Sequence, residues 1–232
     1  TLIFTGRFLP PLNEVAFPAY AELNNKGLPV APAFLSGVRM IMLIATPFYV
    51  GLGLVAGPLV ETFFGAKWLE MIPVVAGLAF AMPAMALQII CSPATNALGR
   101  PAIYVMTSAA GAIIMPVCFL VGVGLGPQGL VASWQVAAPL LLAVTLLLTL
   151  PVVGARFGDF AATLLPVVVG CAVMALAVEI SKQALDSVPA PLLLALLTVT
   201  GAATYAATLW LLWPRIVRET WATLRRPAKT SS

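Results

Sequence analysis

Residues 101–155 read PAIYVMTSAAGAIIMPVCFLVGVGLGPQGLVASWQVAAPLLLAVTLLLTLPVVGA, with no Asp, Glu, Lys or Arg anywhere in the tract. It is cut once, at Gly126-Pro127-Gln128-Gly129, and each half is longer than the about 20 residues that carry a helix across a hydrocarbon layer of about 30 Å. A chain crossing that layer must satisfy its backbone hydrogen bonds internally, which leaves helices and closed barrels. Barrel strands alternate polar and apolar residues, and these runs do not alternate. The tract therefore predicts two membrane-spanning helices joined by a tight turn.

Outward from this tract the pattern repeats. Residues 71–99 and 187–214 are also free of charge. Hydrophobic residues make up 61% of the 232 positions and charged residues 9%, against roughly half and a quarter in soluble proteins. No soluble core of this size hides that much apolar surface. Windows of about 19 residues give a partial or short first helix over 1–23, then a loop from Glu22 to Val30 broken by Asn24-Asn25-Lys26-Gly27. Six full spans follow, from about Phe34 to Leu59, Glu70 to Leu98, Pro101 to Gly124, Leu130 to Val153, Phe160 to Ile180 and Leu192 to Trp213. The fold class is an all-α polytopic membrane protein. Its divisions are the partial helix 1–23, four spans in 24–153, two further spans in 154–213, and a basic tail in 214–232.

Charge placement orients the chain. Five of the twelve basic residues, Arg215, Arg218, Arg225, Arg226 and Lys229, follow the last apolar run, which suits a cytoplasmic tail facing anionic headgroups and not a nucleic acid. Alternating backward, Lys26, Arg39, Arg100 and Arg156 join them, while Arg7, Lys67 and Lys182 fall on the other side. Nine against three is a positive-inside distribution. It places the chain in the inner membrane with a cytoplasmic C-terminus and the Lys67, Pro127 and Lys182 connections outside. The N-terminus, Thr1-Leu2-Ile3, shows no basic segment or cleavage pattern, so the chain is expected to begin inside a longer protein.

Chemistry-bearing residues are few. There is no His, which removes His-dependent triads and His-ligated metals. Cys91, Cys118 and Cys171 stand singly in apolar runs, and no Walker sequence, nucleophile elbow or carboxylate cluster is present. Neither a cofactor nor a metal is expected. Arg7, Asn13 and Glu14 flank Pro10-Pro11 in otherwise apolar sequence, and charge at membrane depth is costly enough to require a partner or a water-filled cavity. Arg7 and Glu14, two helical turns apart, share a face if the prolines do not bend the helix. They either line a cavity or sit at an interface and against another helix. Arg39 either snorkels to headgroups or reaches a substrate phosphate. Glu179 and Lys182 read as an interfacial pair. Ser108 to Ala112 and Gly201 to Ala203 read as sites of close helix approach. Pro18, Pro47, Pro83, Pro116, Pro139 and Pro166 fall inside spans and predict kinks.

Five short motifs then occur in order: Val15-Ala16-Phe17-Pro18-Ala19-Tyr20-Ala21-Glu22-Leu23, Pro47-Phe48-Tyr49-Val50-Gly51-Leu52 with Ala56-Gly57-Pro58-Leu59-Val60, Phe63-Phe64-Gly65-Ala66-Lys67-Trp68, Ala97-Leu98-Gly99-Arg100-Pro101 and Gly126-Pro127-Gln128-Gly129-Leu130. Together they resemble the polysaccharide (Wzx- and WzxC-like) transporters of the multidrug, oligosaccharidyl-lipid and polysaccharide flippase superfamily. The likeness covers residues 15–130, and beyond them only hydropathy agrees. It implies the C-terminal lobe of a two-lobe flippase that moves undecaprenyl-diphosphate-linked oligosaccharide across the inner membrane by alternating access, for exopolysaccharide, capsule or O-antigen synthesis. The implied substrate contacts are Arg7, Asn13, Glu14 and Arg39, with Arg7 on the diphosphate and Glu14 as its partner or a proton carrier. Implied partners are the lipid-linked oligosaccharide, membrane lipids, the N-terminal lobe and glycan polymerase and export machinery. Without that lobe the chain is expected to be inactive. The rival readings are a drug or cation antiporter of the same superfamily, a polytopic enzyme of glycan assembly, and a membrane scaffold.

Overall fold

The computed structural model describes residues 17–185, 188–214 and 216. Residues 17–25 are helical and are termed α1. After it come α2 (Ala31–Leu54), α3 (Ala56–Phe64), a 3-10 turn over Ala66–Met71, α4 (Ile72–Ala97), α5 (Pro101–Val123), α6 (Gly126–Val153), α7 (Phe157–Ala184) and α8 (Ala190–Leu212). No strand occurs among the described residues. Among the described residues, six helical segments are long and apolar enough to cross a membrane: α2, the 3-10 turn with α4, and each of α5 to α8. The shortest has 23 residues, about 34 Å at 1.5 Å per residue. This is a multi-pass membrane protein.

Prolines and glycines punctuate the helices at opposite ends, as backbone chemistry dictates. Helices α2, α4, α5, α6 and α8 each carry a Pro in their first two positions, where the absent N–H has no helical partner to lose. At the far ends of α4 and α6 the chain turns through Gly99 and Gly154, with φ of 68° and 77°, a region costly for residues with a Cβ. The following N–H reaches back to close each end, from Arg100 to Thr95 O and from Ala155 to Leu150 O, both at 3.0 Å. Leu28 does the same to Leu23 O after Gly27. These three Schellman-type ends lie beside Lys26, Arg100 and Arg156.

Several boundaries differ from those expected. The turn expected at 126–129 is the first turn of α6, the chain reversing at 124–125 instead, and α7 is longer at both ends than the expected 160–180. Two further differences have a clear local cause. Residues 22–25 are helical and not loop, because Lys26 pairs with Glu22 one turn back and the helix stops only at Gly27. That hydrogen bond holds the Glu22 carboxyl below its ordinary pKa. The run expected to continue to Leu59 breaks at Val55, with φ −96° and ψ 13°. Pro58 is the cause, since it has no N–H for the Leu54 carbonyl and its ring crowds that oxygen. The chain restarts as α3, whose Val60 is buried, while Phe63, Phe64 and Trp68 stay exposed at a predicted membrane–water boundary.

The spanning helices pack as a row. Helix α5 lies on α6, α6 on α4, α4 on α2, α2 on α7 and α7 on α8, while α4 and α5 barely touch. The core runs through the middle of the row, with Phe34, Val38, Ala94, Leu150 and Leu197 each at most 1% exposed. Helix α5 is the exception, burying only Gly122. There the α5 and α6 backbones meet closely enough that a Cβ on Gly129 lies 2.1 Å from the Gly122 carbonyl oxygen. Ser133 Oγ donates to Cys118 O at 2.8 Å across the same contact.

Candidate functional site: a polar cleft and an apolar groove

Seven prolines lie inside the spanning helices, at 47, 83, 93, 116, 139, 151 and 166. Each removes the N–H that the carbonyl four residues earlier would accept, and in a hydrocarbon environment that oxygen needs another donor. At Pro47 the freed oxygen is that of Leu43. Tyr205, on α8 and 9% exposed, donates its hydroxyl to Leu43 O at 2.9 Å. The ring reaches α2 by lying against α7 at Gly170, where a Cβ falls 2.8 Å from Tyr205 Cε2. Three helices are thus held at one kink.

Beside this latch lies a groove of about 610 Å³ between α2, α3, α7 and α8. Its wall is apolar, including Pro47, Phe48, Leu52, Leu59, Val178 and Leu194, and no charged side chain lines it.

The second cavity has a different character. It occupies about 410 Å³ where α4 and α5 diverge above α6, with no charged side chain in its lining. Helix α4 contributes Gln88, Ser92 and Thr95, α5 contributes Tyr104, Thr107 and Ser108, and α6 contributes Thr145 and Thr149. These positions follow helical spacing, at i, i+4, i+7 on α4 and i, i+4 on α6, so one face of each helix turns polar groups inward. The cleft occupies the last turns of α4 and α6 and the first turns of α5, at the end marked by Arg100 and Arg156. Gln88 Nε2 donates to Ala138 O at 3.0 Å, tying α4 to α6 at the cleft's inner end.

Of the residues singled out from sequence, Arg7, Asn13 and Glu14 lie outside the described residues, as does nearly all of the basic tail. Arg39 is half-buried in the third turn of α2 and lines neither cavity. Glu179 and Lys182 form the expected pair, at 2.9 Å. Gly201 packs against Val178 and Met174, but Ala202 and Ala203 are exposed. Ser108 and Gly111, read as packing marks, line the cleft, and Ala109 and Ala112 face outward. The cleft's Gln and Thr residues were not singled out from sequence. Their signal was the helical spacing of polar residues across three consecutive spans.

Residues 2–73 match the family described as polysaccharide biosynthesis protein. A segment of 65 residues is 31% identical to the teichuronic acid biosynthesis protein TuaB of Bacillus subtilis (strain 168), covering 28% of this chain and 14% of that protein. No solved structure matches the chain. The matched stretch takes in α2, the Pro58 break and the aromatic 3-10 turn, and its α2 and α3 residues form one wall of the apolar groove.

Proposed function

We propose that this chain is part of a transporter that carries lipid-linked oligosaccharide, on an undecaprenyl diphosphate carrier, across the inner membrane for surface polysaccharide synthesis. The observation that carries the reading is the polar, uncharged cleft set among membrane-spanning helices in a chain with a polysaccharide biosynthesis segment. Lipid-facing helices have no reason to gather eight amide and hydroxyl side chains, whereas a path for a hydrated sugar does. The apolar groove supports the same substrate, since a polyprenyl chain is at home there. Proline-broken helices around both cavities supply places where packed elements bend, as alternating access between two lobes requires.

In this reading Arg7 and Arg39 hold the diphosphate, Asn13 adds a polar contact, and Glu14 partners Arg7 or carries a proton. The partner lobe, the membrane lipids and the polymerase and export machinery complete the system, and the C-terminus faces the cytoplasm. The cleft then opens toward the cytoplasm, where lipid-linked sugars are assembled. The chain moves substrate and performs no bond chemistry on it.

The test is the leaflet distribution of undecaprenyl-linked oligosaccharide in cells lacking the full-length gene, carrying it intact, or carrying Arg7→Ala. Accumulation on the cytoplasmic face in the deletion is expected, with partial accumulation in Arg7→Ala. Glycan that reaches the outer leaflet but stays unpolymerised in the deletion would replace transport with an enzymatic or scaffolding role.

A further inference from the structure

We infer that the cleft between α4, α5 and α6 is a subsite for uncharged sugar units, bound through their hydroxyl groups, and not a seat for the diphosphate or for acidic sugars. The inference rests on the transport reading and concerns which part of the substrate this lobe holds.

The hydrogen-bonding groups of the cleft and its lack of charge decide the ligand's character. Thr95 Oγ1 donates to Ser92 O at 3.0 Å, Thr107 Oγ1 to Tyr104 O at 3.0 Å, and Thr145 Oγ1 to Leu141 O at 2.8 Å. Each hydroxyl therefore turns its proton toward its own helix and presents lone pairs to the cavity. Gln88 uses one amide proton on Ala138 O. Pro93 leaves the carbonyl of Ile89, itself in the wall, without its helical donor. The lining thus offers acceptors from its threonines, hydroxyl protons from Ser92, Tyr104 and Ser108, and no charge. An anion placed there would lose water and meet no cation, whereas a polyol both donates to and accepts from such a wall.

A second observation points to an occupant. Thr149 is fully buried, at 0% residue exposure, lines the cleft, and its hydroxyl finds no nitrogen or oxygen partner. It meets the Cys91 thiol, a weak hydrogen-bonding group. Thr145, Thr163, Thr198, Thr204 and Thr208 all donate to the carbonyl one turn back, so Thr149, like Thr46 on α2, departs from that habit. A buried hydroxyl with only a weak partner costs stability, and at Thr149, in the wall of the cleft, a bound sugar hydroxyl would supply a stronger one. Size agrees, because about 410 Å³ falls in the range of small-molecule sites, about 300–1,000 Å³. It is too roomy for a bare cation, whose oxygen ligands close to about 2.3–2.6 Å.

The experiment uses the full-length protein in nanodiscs and two probes: lipid-linked oligosaccharide extracted from the host's own membranes, and undecaprenyl diphosphate without sugar. Two variants remove hydroxyls without changing shape much, Thr149→Val on α6 and the pair Thr107→Val with Ser108→Ala on the lightly packed α5. Both are expected to weaken binding of the glycosylated lipid about five- to tenfold and to leave the sugar-free lipid within about twofold. Thr149→Val is also expected to melt no lower than the wild type, since it removes a weakly partnered group. Equal losses for both probes would assign the cleft to the diphosphate, and unchanged affinity for both would leave it no role in binding; either overturns the inference alone. A wild-type protein that binds neither probe would sink the transport reading itself.

Discussion

Replacing Tyr205 with Phe keeps the ring against Gly170 and removes only the hydroxyl that reaches Leu43 O. The carbonyl it serves has no helical donor because position 47 is Pro, so the substitution orphans a buried acceptor. In water-soluble proteins that costs about 1–3 kcal/mol, and interhelical hydrogen bonds in membrane proteins average about 0.6 with a maximum near 1.7 kcal/mol. An expected loss of about 0.5–2 kcal/mol follows. The decisive assay is a double-mutant cycle with Pro47→Ala, read by reversible denaturation in mixed micelles. Alanine restores an N–H at position 47, which then serves Leu43 O within α2. In that background Tyr205→Phe is expected to cost close to nothing. If the hydroxyl is worth the same with Pro or Ala at 47, the latch does not answer the proline and the reasoning fails.

Three further outcomes follow from the packing. Gly170→Ala pushes a Cβ to 2.8 Å from the Tyr205 ring; it is expected to destabilise by about 1–3 kcal/mol and to add less than its full cost to Tyr205→Phe in the same unfolding assay. Gly129→Ala meets backbone at 2.1 Å with no side chain free to yield, so α5 must lift from α6; increased protease or hydrogen-exchange sensitivity confined to α5 and its turn is the readout. Lys67→Cys is expected to react with a membrane-impermeant maleimide added outside whole cells, and Arg100→Cys and Arg156→Cys only in inverted vesicles. The reverse pattern would turn the bundle over and point the cleft the other way.

The spanning helices were legible because the bilayer imposes a single requirement, a long run without charge, and 101–155 states it without ambiguity. The turns were legible for a similar reason: Gly99 and Gly154 are demanded by local backbone geometry, which neighbouring residues reveal. Gly57-Pro58 does mark the close of the second span, but the break falls earlier, at Val55, because the missing N–H acts on the carbonyl four residues back and hydropathy does not register it. The cleft was missed for a different reason. Ser, Thr and Gln are tolerated singly in spans, and their meaning lies in which helices stand side by side. Nothing near residue 88 says that residues 107 and 145 are its neighbours. The Tyr205 latch is more remote still, since its partner lies 162 positions away. Sequence directed attention instead to charges, and Arg39, the described one among them that was assigned to substrate, lines neither cavity.

The tight corner where Gly122 meets Gly129 makes α5 a lever. Its fulcrum is the backbone contact at that corner, and the arm beyond it, resting on Leu141 at Gly111, carries Tyr104, Thr107 and Ser108. From Gly122 to Ser108 is about 21 Å along the helix axis at 1.5 Å per residue, so a tilt of about 5° at the corner shifts Ser108 by about 2 Å. Two hydrogens at the fulcrum, where any other residue would place carbon, thus determine how finely the mouth of the cleft can be adjusted from its far end.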